Sequence, residues 1–158
     1  MNSEVYRKNI TNTFKFKFFG FLHLPSVWFW GIRVTEFSKG ASEVVIRHNY
    51  FNKNPFGSIY FSALMGAAEL STGILIQQYV VERNDCSMLV VNSHAEFMKK
   101  AIGKITFHCT QGNEVFETLI NMTEGDKSTI ILHSIGTDED GDTIMKAEFT
   151  WSLKKRKK

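Results

Sequence analysis

Between Ile59 and Val81 lie twenty-three residues, IYFSALMGAAELSTGILIQQYVV, whose single formal charge is Glu69. The length suits a membrane span, and Ala63, Gly66 and Ala67 would allow close helix packing in lipid. A lone central carboxylate is costly there, however, and Gln77 and Gln78 shorten the apolar run, so the stretch reads as a helix buried inside a soluble protein. Ser58 is placed to cap it, which leaves the N–H groups of Ile59, Tyr60 and Phe61 free at the positive end of the helix dipole. A helix that is apolar all round must be covered on every side, and the rest of the chain has to supply the cover.

The flanking patterns predict how. Phe14, Phe18 and Phe21 with Leu22 recur at helical spacing, and Pro25 ends the pattern, so residues 11–24 should form one helix lying on the body. Ile32–Ser38 and Ser42–His48 read as two strands joined across Lys39 and Gly40, followed by a loop over Asn49–Gly57. After the long helix, Met88–Met98 is a strand. Lys104–Thr110 alternates, with Ile105, Phe107 and Cys109 on one face. Asn113–Glu124 reads as a short amphipathic helix that buries Val115, Phe116, Leu119 and Ile120. Thr129–Thr137 and a last strand with Met145, Ala147, Phe149, Trp151 and Leu153 at every second position flank a hairpin turn at Asp138–Gly141. At 158 residues, 43% of them hydrophobic and including fourteen Phe, the chain fits one core. The fold class is α+β, an antiparallel sheet wrapped around a long central helix. The domain spans residues 1–153, with 154–158 a basic, solvated tail.

Charge and motifs exclude several function classes. Five of the nineteen Lys and Arg form the terminal run Lys154–Lys158; without them residues 1–153 carry 14 basic against 16 acidic side chains. A nucleic-acid binder would interleave cations and aromatics on a groove or face, so no nucleic-acid partner is expected. Cys86 and Cys109 make neither a disulfide framework nor a Cys-x-x-Cys site, and both read as small buried hydrophobes. The five His share no metal-ligand spacing, and no metal is expected. The acidic run Asp138–Asp142 lacks the spaced ligands of a calcium loop. Phe18–Gly31 is broken by His23 and Pro25 and precedes no cleavage signal, which points to a reducing cytoplasm.

Glu69 remains. A carboxylate on an apolar helix either faces a polar cavity or has a raised pKa, and both suit a general base or nucleophile. The alternative is a Glu satisfied by backbone or solvent at a subunit interface. The order Asn54, Gly57, Tyr60-Phe61 and Glu69 resembles the hotdog-fold thioesterases of the PaaI-like type, whose signature runs Asn-x-x-Gly-x-x-His-Gly-Gly with a carboxylate nine residues after the His. The element order resembles that family along most of the chain, in a branch with an extra helix before the last two strands.

The resemblance implies hydrolysis of acyl-CoA thioesters without a cofactor or metal. Glu69 matches the base or nucleophile, Asn54 the polar residue that holds water or carboxylate, and Phe61 the glycine whose N–H polarises the thioester carbonyl. Gly57 and Tyr60 would line the substrate, and Ser87 is placed like a hydroxyl used by some members. The His position is Tyr60, and the Gly-Gly pair is Phe61-Ser62. A non-catalytic acyl-CoA or fatty-acyl binding protein on the same fold is the alternative. Phe61 and Glu69 are eight residues apart, about 12 Å along a helix, so one carbonyl cannot meet both within a chain. A homodimer or tetramer with composite sites follows, and no membrane span is expected.

Overall fold

In the computed structural model, which describes residues 1–156, the alternating segment forms a strand over Lys104–Cys109 that buries Ile105, Phe107 and Cys109. The strands are β1 (Arg33–Phe37), β2 (Ser42–Arg47), β3 (Cys86–Phe97), β4 (Lys104–Cys109), β5 (Lys127–Thr137) and β6 (Thr143–Lys155). They make one antiparallel sheet in the order β1-β2-β4-β5-β6-β3, which leaves β1 and β3 at its edges. The helices are α1 (Ser3–Thr11), α2 (Thr13–His23), α3 (Pro25–Trp30), α4 (Phe61–Arg83) and α5 (Gly112–Ile120).

The concave face of the sheet wraps α4. Val44 and Ile46 of β2, Ile105 and Phe107 of β4, Leu132 of β5 and Phe149, Trp151 and Leu153 of β6 are buried with Ala63, Leu64, Ala67, Ala68, Ile74, Leu75 and Ile76 of the helix. Each large side chain removed from water in this way contributes about 1.5–3 kcal/mol. Between helix and sheet, Ser71 shares a hydrogen bond with Ser134, and its carbonyl accepts from Ser42. Among the described residues no helix is long and apolar enough to cross a membrane.

Four expectations need correction. Residues 11–24 are not one helix lying on its Phe14-Phe18 stripe. Asn12 ends α1 and caps α2, its Oδ1 accepting from the Lys15 N–H, and Pro25 opens a separate α3. Because α2 is apolar around most of its circumference, periodicity does not select the inward side. Phe16 and Gly20 face the body, Gly20 lying against Trp28. Phe14, Phe18, Phe21 and Leu22 are exposed.

The long helix begins at Phe61, and Ser58 is not its cap. The Ser58 hydroxyl is held by Asn54, while the Ile59 and Tyr60 N–H groups donate to Ala101 and Asn52 carbonyls. In α5 only Val115 and Leu119 of the four expected core residues are buried, and Phe116 and Ile120 are exposed.

Finally, the last strand runs into the basic segment. Lys154 pairs with Ser87 and Lys127, the Lys155 N–H donates to Asp126, its Nζ donates to the Met122 carbonyl, and the Arg156 N–H donates to Asp85. Lys157 and Lys158 lie outside the described residues. Truncation after Leu153 is therefore expected to destabilise the domain by about 3 kcal/mol, from several hydrogen bonds at roughly 1 kcal/mol each. Thermal unfolding should read this as a Tm drop of roughly 10 °C. An unchanged Tm would mean these strand-end bonds contribute nothing.

Candidate active site

Glu69 lies on the side of α4 that faces α1 and α2. Its neighbours define a cavity of about 610 Å³. The walls are Tyr6 and Ile10 of α1, Phe16 and Phe19 of α2, Leu70 and Ile74 of α4 and Met88 of β3, with Lys15, Asn9 and Gln77 supplying polar atoms. One turn beyond Glu69, Gly73 lets the Trp151 ring lie against the helix: a Cβ there would stand 3.1 Å from the ring and 3.4 Å from Glu69 Oε1. The ring is fixed by its Nε1, which donates to Thr72 Oγ1 at 3.1 Å.

The electrostatics follow from the walls. Burial raises the Glu69 carboxyl above the usual carboxylate range. Tyr6, on the same wall, is raised for the same reason. A carboxylate in this setting is poorly solvated and hence a stronger proton acceptor than one in water. Cys109 is pushed up to about 11 by burial, and both cysteines are free and buried, as small hydrophobes would be. Among the described residues no group of three or more His, Cys, Asp or Glu is arranged to hold a metal ion.

The other expected site residues lie elsewhere in the chain. Asn54 organises the loop before α4. Its Oδ1 accepts from the Phe56 and Ser58 N–H groups, and its Nδ2 donates to Ser58 Oγ at 2.9 Å and to the Ile59 carbonyl. Gly57 has φ +71°, a left-handed turn that favours glycine, and its N–H donates to the Asn54 carbonyl. Asn52, fully buried beneath this loop, donates to the Trp30 and Arg47 carbonyls and ties it to α3 and β2.

The loop thus delivers the start of α4 to the surface. Tyr60 holds the cap position without a side-chain cap bond, and the N–H groups of Phe61 and Ser62, the first two helical residues, have no partner within the helix. The exposed Tyr60 and Phe61 rings stack edge to face at 4.9 Å, and Phe61 meets Phe97 of β3 at 6.4 Å. None of these residues borders the Glu69 cavity. Ser87 is next to Met88 in β3 and therefore points to the opposite face of the strand, its hydroxyl 3.5 Å from the Lys154 carbonyl.

Two groups of residues escaped the sequence reading. Ser62 supplies a second free N–H, which depended on where the helix begins. Tyr6, Lys15, Phe16 and Phe19 wall the cavity, and only the inward phase of α1 and α2 identifies them.

The chain belongs to the DUF4442 family, whose model, described as a domain of unknown function, matches residues 14–153. No curated protein matches it. Among solved structures it is similar to a Pseudomonas aeruginosa protein of unknown function designated "probable thioesterase", at 19% identity and TM-score 0.77, over 99% of this chain and 97% of that one. It is also similar to a thioesterase from Haemophilus influenzae, at 16% identity and TM-score 0.65, over 84% and 85%. The third is the PaaI protein of E. coli from the phenylacetic acid degradation operon, at 10% identity and TM-score 0.63, over 87% and 88%. At such identities these likenesses establish the fold alone: the hotdog fold, which the chain shares with these thioesterases and with PaaI.

Proposed function

We propose that the protein hydrolyses acyl-CoA thioesters in sites shared between two copies of the chain. The observation that carries this reading is the Glu69 carboxylate, desolvated in an apolar cavity large enough for an acyl chain. The Phe61 and Ser62 N–H groups at the start of α4 in one copy bind the thioester carbonyl oxygen as it gains charge. Glu69 of the other copy takes a proton from water as the water oxygen bonds to the carbonyl carbon, or attacks that carbon itself to form an anhydride that water then hydrolyses, freeing the carboxylate. The C–S bond breaks, the thiolate leaves and is protonated, and the products are a fatty acid and free CoA. The unpaired edge of β3, with Leu89, Val91 and Phe97 exposed, provides the surface on which two copies would join.

Non-catalytic acyl binding is the second reading, favoured by the Tyr60-Phe61 ring pair, which occupies the His and first Gly positions of the related signature. Thiol release from a series of acyl-CoA thioesters separates the two: an enzyme releases CoA repeatedly, whereas a binding protein only retains the ligand.

A further inference from the structure

The outer surface of α2 has an unusual composition for a protein exterior. Phe14 and Phe18 are 86% and 70% exposed, and Phe21 and Leu22 are exposed beside them. At about 100° per residue these four share one face, and Lys15 and Lys17 fall roughly 80° to either side of its centre. An outward apolar stripe with a lysine on each shoulder is the layout of a helix that lies in a membrane interface, rings down and ammonium groups level with the headgroups.

The stripe continues beyond α2. Phe21 meets Trp28 edge to face at 5.4 Å, Trp28 meets Phe29 at 5.0 Å, Phe29 meets Phe51 at 5.4 Å and Phe51 meets Tyr50 at 5.6 Å. All five rings are exposed, and the Lys53 ammonium lies 4.4 Å from the centre of the Tyr50 ring. A connected aromatic surface of this kind on a protein exterior marks an interaction site.

Charge selects the partner. Residues 5–35 contain Arg7, Lys8, Lys15, Lys17 and Arg33 and no Asp or Glu, whereas residues 36–153 carry 9 basic against 15 acidic side chains. Outside the basic run Lys154–Lys158, positive charge is thus concentrated on the segment that carries the exposed rings, where Lys8 is paired with Glu4. Two copies joined symmetrically through this face would bring Lys15, Lys17 and Lys53 of each together, with no carboxylate from residues 5–35 to pair them. An anionic lipid surface satisfies both the rings and the lysines.

We propose that α2, α3 and the Tyr50-Phe51 loop form a platform that docks on anionic bilayers. The cavity holding Glu69 lies directly behind it, since α2 turns Phe16 and Phe19 into the cavity wall. Docking does not depend on whether Glu69 catalyses, and it is read without turnover.

The test is co-sedimentation of the full chain with vesicles of phosphatidylcholine alone or of equal parts phosphatidylcholine and phosphatidylglycerol. Binding is expected to the phosphatidylglycerol vesicles and to weaken as salt is raised. The double variant Phe14→Asp/Phe18→Asp should lose at least about tenfold in partitioning, and Lys17→Glu about tenfold. Both should keep the parent's Tm and elution volume; if the double variant does not fold, Lys17→Glu alone decides. A wild type that ignores both vesicles, or binds both equally regardless of salt, overturns the proposal. So does a double variant that dissociates to a smaller species without any change in lipid binding, which would mark the face as a contact between copies.

Discussion

Glu69→Gln is expected to abolish acyl-CoA hydrolysis, lowering kcat by about 10²–10⁴-fold, the range that a positioned base contributes. The amide keeps the shape of the carboxyl but can neither accept a proton from water nor attack a carbonyl. The same variant should fold at least as well as its parent at neutral pH. Burial raises the Glu69 pKa in the folded state, so the folded chain holds that proton more tightly than the unfolded chain does. The stability contributed by the neutral carboxyl is therefore complete below the ordinary carboxylate range and is lost as pH rises through the raised value. The amide side chain of the variant would stay neutral throughout, which should leave Tm equal to the parent's at low pH and higher at neutral pH. The kcat of the wild type should fall on acidification with a midpoint above the ordinary carboxylate range. Unchanged kcat in the variant would remove Glu69 from the chemistry.

The second large effect is restored activity in mixed dimers. Alone, Glu69→Ala lacks the base, and Asn54→Ala releases the loop that holds the start of α4, since the Asn54 side chain bonds to Ser58 and the Phe56 N–H and reaches the Ile59 carbonyl. The free N–H groups and Glu69 are separated by about 12 Å along one helix, so the proposed site would draw them from different copies. A mixed dimer would then contain one doubly damaged site and one intact site. With random assortment half of the dimers are mixed, and about a quarter of wild-type turnover is expected. Each parent alone should be nearly inactive. Mixed dimers without recovered turnover, or an active monomer, would contradict the composite site.

Much of the fold can be read from residue order because its elements obey one periodicity at a time. Ile105, Phe107 and Cys109 alternate with polar residues and form the inward face of β4, and Met145 to Leu153 does the same in β6. The run from Ile59 to Val81 can only be a covered helix, and its lone carboxylate already marks where the cavity lies. Periodicity fails where it is degenerate. The α2 segment is apolar on most of its surface, so its Phe14-Phe18-Phe21 repeat reads as a core stripe although Phe16 and Gly20 take that role. The start of α4 fails for a different reason: Ser58 has the chemistry of a cap, yet the nearby Asn54 claims it and the distant Ala101 carbonyl claims its neighbour, and a partner as remote as Ala101 leaves no mark in local sequence. In the candidate site, Glu69 stood out because it is an anomaly in its own segment, while the walls contributed by α1 and α2 depend on tertiary packing.

Repeated release of free CoA thiol from acyl-CoA thioesters of increasing chain length tests the account most directly. The expected result is many turnovers per Glu69, with a preference for the acyl chains that the apolar cavity accommodates and with loss of release in Glu69→Gln. Tight retention of acyl-CoA by the wild type with no thiol released at any chain length would contradict it and identify a binding protein instead.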